Sequence, residues 1–95
     1  MKRFSILQSN KWCLRCGTNK DIHIHEVFYG RNRQKSIQDG CCVYLCGKHH
    51  NMSNYGIHFD KSFDLQTKQL MEKKWLEYYN KDVDDFIERY GRNYL

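Results

Sequence analysis

Ninety-five residues make one domain, and a chain of this size buries only about 60–65% of its unfolded surface, so a bound metal would add stability that the core alone lacks. The formal net charge of +5 fits a polyanionic partner without identifying nucleic acid. Five cysteines, an odd count, argue against a closed disulfide scaffold, and the opening MKRFSILQSNKW holds no apolar run long enough for a signal peptide or a membrane span. The expectation is a reducing, cytoplasmic compartment with no membrane partner, where cysteine spacing signals metal rather than disulfides.

No proline, internal repeat or linker divides the chain, so a single domain over 1–95 is expected, with metal ligands and short apolar runs in 1–60 and helix in 61–95. The first recognisable element is Cys13-x2-Cys16, and a second knuckle, Cys46-x2-His49, follows some thirty residues on. A tetrahedral zinc site takes four soft or borderline ligands, and an x2 spacing lets both side chains of one turn converge on one ion. Those four residues make one site. His23, His25, Glu26, His50 and His58 are left over, more imidazole and carboxylate than a structural site needs.

Between the knuckles, DIHIHEVFY alternates as a strand, with Ile22, Ile24 and Glu26 on one side and His23, His25 and Val27 on the other. CCVYLC reads as a second strand running into the second knuckle, with at most one of Cys41 and Cys42 facing the core. The linking GRNRQKSIQDG is a glycine-bounded connection carrying Arg31, Arg33 and Lys35. Two antiparallel strands, a metal-bound turn and a helix starting near His49 give a ββα unit, which brings His25 and His50 towards one ion. Beyond it, Met71, Trp75 and Tyr78/Tyr79 recur on one helical face, with Ser62 as the cap. A last helix starts at Asp82, places Val83, Phe86, Ile87 and Tyr90 together, and closes at Gly91. The fold class is therefore α+β: a zinc-stapled ββα core followed by two helices.

The order CLRCG, IHIHEVFYG, LCGKHHN and GIHF resembles the HNH endonuclease superfamily, the ββα-metal nucleases, and within it the small phage and prophage proteins with a cysteine-knuckle zinc site. The resemblance covers about residues 13–58. It implies structural zinc at Cys13, Cys16, Cys46 and His49, and a catalytic divalent ion, Mg2+ or Mn2+, at His25 and His50 with His58 as third ligand. It also implies a DNA substrate and a partner protein or homodimer that helps choose the target. Two positions depart from the family pattern. Glu26 stands where the family has its general-base histidine, and the middle asparagine has no counterpart, Asn51 and Asn54 lying downstream. His23, on the His25 face, is the other candidate for base or ligand.

The chemistry expected of such a set is phosphodiester hydrolysis. An ion held by neutral imidazoles binds a phosphate oxygen while a base, Glu26 or His23, deprotonates water. Arg31, Arg33 and Lys35 would hold the flanking backbone. The alternative is a catalytically degenerate HNH-like module that binds DNA or a host protein.

Overall fold

The computed structural model describes residues 3–95. Two antiparallel strands, β1 (Ile22–Glu26) and β2 (Cys42–Cys46), pair with Ile22 opposite Cys46, His25 opposite Val43 and Glu26 opposite Cys42. Together with four α-helices they form an α+β fold. Burial along β1 climbs rather than alternates: Ile24 is 41% exposed, whereas His25 is 3% exposed and Glu26 through Phe28 are all buried. The expected two-faced strand is thus replaced by one that dives into the interior at the histidine. β2 is buried throughout; Cys41 and Cys42 are both buried, and of the two only Cys41 joins the apolar core cluster, in line with the expectation that at most one faces the core. Cys41 lies 3.6 Å from the Tyr90 hydroxyl and Cys42 donates to the Phe4 carbonyl. Neighbours on both sides cover β2, so alternation loses its meaning there.

The outer edge of β2 is closed by the N-terminal segment. Ser5 Oγ donates to the Cys42 carbonyl, Gln8 Oε1 accepts from Tyr44 N–H, and Leu14 N–H donates to the Tyr44 carbonyl. These bonds satisfy an otherwise open strand edge and bring Cys13 alongside the end of β2.

The connection between the strands is not a loop. A 3-10 turn at Gly30–Asn32 leads into α1 (Arg33–Asp39), which ends at Gly40 in the left-handed region, φ 74°. Ile37 is the one large apolar residue of α1, so the helix shows no 3.6-residue stripe; only the glycine C-cap signals it. The ββα helix is also shorter than expected. α2 (Gly47–His50) is a single turn ending at Asn51, and a 3-10 turn at Ile57–Phe59 intervenes before α3 (Lys61–Tyr78). The cap of α3 is Asp60, which accepts from Phe63 N–H at 3.0 Å, not Ser62. Phe63, Thr67, Met71 and Trp75 form its buried face; Tyr79 is half-buried and Tyr78 exposed. α4 (Val83–Tyr90) starts in a capping box between Asp82 and Asp85 and closes at Gly91, φ 88°, as the sequence indicates.

Val43 and Leu45 from β2 meet Phe28, Ile57, Met71, Trp75, Phe86 and Tyr90 in one apolar cluster. Its floor is polar. Asp39, at the end of α1, accepts from Trp75 Nε1 at 2.9 Å, from Tyr90 Oη at 2.7 Å, and from both Nε and Nη2 of Arg89 at 2.6 and 2.8 Å. Its carbonyl takes the Tyr79 hydroxyl at 2.7 Å. One carboxylate therefore ties α1 to α3 and α4. Among the described residues no helix is long and apolar enough to cross a membrane.

Candidate metal centres

The first knuckle forms because Gly17, φ 77°, lets the chain reverse so that Gly17 N–H donates to the Cys13 carbonyl and Cys13 N–H to the Thr18 carbonyl. The second forms where extended β2 passes directly into the α2 turn. Ligand atoms of Cys13, Cys16, Cys46 and His49 all lie within 4.8 Å of one another. A tetrahedral zinc with ligands about 2.3 Å (S) and about 2.0–2.1 Å (N) away requires edges of about 3.8 Å between sulfurs and about 3.5 Å between sulfur and nitrogen. Cys16 Sγ and Cys46 Sγ are 3.8 Å apart, and His49 Nδ1 is 3.6 Å from Cys13 Sγ and 3.2 Å from Cys46 Sγ. The donor set and its spacing are those of a closed site compatible with zinc. Burial pushes the Cys13 thiol up, but hydrogen bonds from the Cys46, Cys16 and Arg15 backbone outweigh it and bring the pKa to about 6, towards the thiolate that a metal needs.

A second cluster joins His25, His50 and His58, again within 4.8 Å. β1 supplies the first, the α2 turn the second and the 57–59 turn the third. His50 Nε2 and His58 Nε2 are 2.9 Å apart, close to the edge of about 3.0 Å between neighbouring ligands in an octahedron with bonds near 2.1 Å. His25 Nε2 is buried without a hydrogen-bond partner among the described residues, a condition that costs about 1–3 kcal/mol unless something takes its lone pair. Burial, reinforced by the neighbouring His58 and His50, lowers the His25 pKa to about 3. Burial, then His58 and His23, lowers that of His50 to about 4. Both imidazoles are neutral lone-pair donors at pH 7, as metal ligation requires. Gly56 makes the juxtaposition possible: a Cβ there would meet the backbone of His50 and Asn51, with the His50 carbonyl carbon at 2.8 Å.

His23 does not join the cluster. Its Nδ1 lies 2.9 Å from His50 Nδ1, and its Nε2 is 3.4 Å from Asp21 Oδ1. One tautomer set satisfies the whole row: His50 Nδ1–H donates to His23, His23 Nε2–H points to Asp21, and His50 Nε2 keeps its lone pair towards His25 and His58. His23 thus stands as the partner that orients a candidate ligand, with both ring nitrogens engaged. Glu26 is 6% exposed and forms an ion pair with Arg3; both its carboxylate oxygens are buried. Of the two strand groups proposed as general base, Glu26 lines the cavity beside the histidine cluster although Arg3 pairs with it, whereas His23 does not line it.

The mouth of the second cluster is a cavity of about 170 Å³ whose walls include Ile24, Glu26, Tyr29 and Arg33 beside the three histidines. Of the three basic residues singled out in the connection, Arg33 therefore reaches the cluster. Arg31 and Lys35 line a different cleft, on the side of the C-terminal residues. Asn51 and Asn54 are exposed. Tyr29, 5.9 Å from His25 and 6.1 Å from His58 between ring centroids, escaped the sequence reading; its place one residue before Gly30, at the exit of the strand, was the available signal. No protein-family model, curated protein or solved structure matches the chain.

Proposed function

We propose that the protein is a metal-dependent nuclease of the HNH type, hydrolysing phosphodiester bonds in DNA at the histidine cluster, with the cysteine-rich cluster holding a structural zinc. The observation that carries this reading is the presence of two separate ligand sets, one tetrahedral and closed, the other three neutral imidazoles at the mouth of a cavity. A structural site alone gives no reason for the second set.

A divalent ion at the histidines supplies Lewis-acid polarisation of a phosphate oxygen and offsets charge on the leaving group. The chain's own residues do the rest. His25 is held rigid by burial, His50 by the hydrogen bond to His23, and the position of Arg33 suits contact with a neighbouring phosphate. Three imidazoles favour a borderline ion such as Ni2+ or Zn2+ over Mg2+ and Mn2+, which prefer oxygen ligands.

The second reading is a binding module that keeps the metal scaffold without cleavage. It is favoured by one specific observation, the burial of Glu26 against Arg3, which leaves the expected base position committed elsewhere. The test is nicking of supercoiled plasmid by zinc-loaded protein with Ni2+, Zn2+, Mn2+, Mg2+ or chelator, beside His50→Ala. Divalent-dependent nicking that His50→Ala abolishes while knuckle zinc is retained supports the nuclease. No nicking by protein whose histidine cluster is shown to be loaded sinks it and leaves the binding module.

A further inference from the structure

The C-terminal residues 91–95 are docked against the body by an unusual anchor. Glu72, 0% exposed in the middle of α3, accepts the Tyr94 backbone N–H at 2.8 Å through Oε1. Its other oxygen has no partner among the described residues. Gln69 Nε2 donates to the Tyr94 carbonyl at 2.9 Å, and the Tyr94 ring stacks on Phe28 at 5.7 Å. A carboxylate in an apolar interior is unfavourable, so an anchor of this kind points to a tail whose position matters.

Docking places Arg92 over the Tyr94 ring, 4.7 Å from its centroid. Arg92 and Tyr94 then line a cleft of about 330 Å³ together with Arg31, Asn32 and Lys35. Lys35 is held there by donating to the Arg89 carbonyl at 2.8 Å, and Asn32 by donating to the Tyr90 carbonyl at 3.0 Å. The cleft is joined to the histidine cluster through Lys68, whose Nζ lies 4.4 Å from the Tyr29 ring centroid and 5.5 Å from that of Tyr94. The carboxylates on this face are Asp64, which holds the Lys68 ammonium at 2.8 Å, and Glu88, which lines the cleft. Three exposed cations, Arg31, Lys35 and Arg92, remain against Glu88.

We propose that the docked tail is part of the substrate-holding surface: Arg92, lining the same cleft as Arg31 and Lys35, contacts backbone phosphates of the DNA that flanks the histidine cluster. The occupant rests on the nuclease reading; the charge arrangement does not. Such contacts are sequence-independent and displace counterions, so each phosphate contact changes the slope of log K against log salt by about 0.9. Arg92 is exposed and belongs to neither ligand set, and the hydrogen bonds that hold the Tyr94 backbone, from Glu72 and Gln69, do not involve it.

The test is fluorescence anisotropy of a labelled duplex of about 20 base pairs with zinc-loaded protein and no other divalent ion, across a salt series, with plasmid nicking measured on the same preparations after the histidine cluster has been loaded with Ni2+, Zn2+, Mn2+ or Mg2+. Arg92→Ala is expected to reduce the salt slope by about one and to weaken binding about fivefold to tenfold at 0.1 M salt, with Arg92→Lys restoring most of both. An unchanged slope in Arg92→Ala, or wild-type protein that does not bind the duplex in a salt-dependent way, overturns the proposal. Loss of slope without any nicking by the wild type leaves this surface standing and removes the nuclease reading; nicking with an unchanged slope does the reverse.

Discussion

Replacing Asp39 by alanine tests the polar floor on which the basic helix α1 is seated. The substitution strands one buried donor, Trp75 Nε1, on a residue 4% exposed, at about 1–3 kcal/mol, and takes from Tyr90 Oη its shortest bond, leaving it the Lys35 carbonyl at 3.2 Å, at about 0.5–1.5 kcal/mol. It also releases the Arg89 guanidinium, whose side chain is 33% exposed, so solvent screening keeps that share to about 1 kcal/mol or less. The contributions share one network and do not simply add; about 3 kcal/mol is expected in total, against a typical domain stability of about 5–15 kcal/mol. Asp39→Asn keeps one carbonyl oxygen for Trp75 and Tyr90, which share Oδ2, but puts a non-accepting amide nitrogen opposite Arg89 Nη2 and removes the charge, so about 1–2 kcal/mol is expected. The measurement is urea unfolding at saturating zinc, followed by tryptophan fluorescence, with both variants compared at equal slope. A cost for Asp39→Ala below about 1 kcal/mol, or equal costs for alanine and asparagine, would refute the view that hydrogen bonding at this carboxylate holds α1 to α3 and α4.

Cys46→Ser is expected to release zinc and unfold the first half of the domain, since metal binding in such sites is worth about 10–16 kcal/mol; one tightly bound zinc per wild-type chain by elemental analysis, and none in the variant, checks it. Gly56→Ala pushes a methyl into the His50 and Asn51 backbone, and is expected to weaken metal uptake by the histidine cluster at least tenfold, about 1.4 kcal/mol, while zinc at the knuckles stays stoichiometric. Competition with a chromogenic chelator reads the first effect and elemental analysis the second; equal loss at both sites would place the damage in the fold instead.

Much of this was legible in the sequence, because its strongest signals were short-range. The x2 knuckles need only one turn each to converge, so Cys13, Cys16, Cys46 and His49 could be grouped without knowing the fold. The Asp82 cap, the Gly91 stop and the stripe through Phe86 and Tyr90 are likewise local. What escaped depended on distant partners. α1 carries too few apolar residues to show a period, and α2 is a single turn because the 51–60 segment must swing His58 back to His50. The fate of Glu26 was decided by Arg3, and that of His23 by Asp21 and His50. Strand alternation could place these side chains on a face but could not say what waits there. The grouping of His25 with His50 followed from element order, whereas the inclusion of His58 depended on the close backbone approach at Gly56.

His49 and His50 are consecutive residues of one helical turn, and their rings serve different clusters. Their side chains rotate independently, but a shift of the shared backbone turn on filling one cluster would move the ligand of the other. Thermodynamic reciprocity makes the resulting change in affinity equal in both directions. Through such a shift, scarcity of one metal would register as slackened grip on a second. Titrating the two ions in both orders would measure a single coupling constant for the molecule.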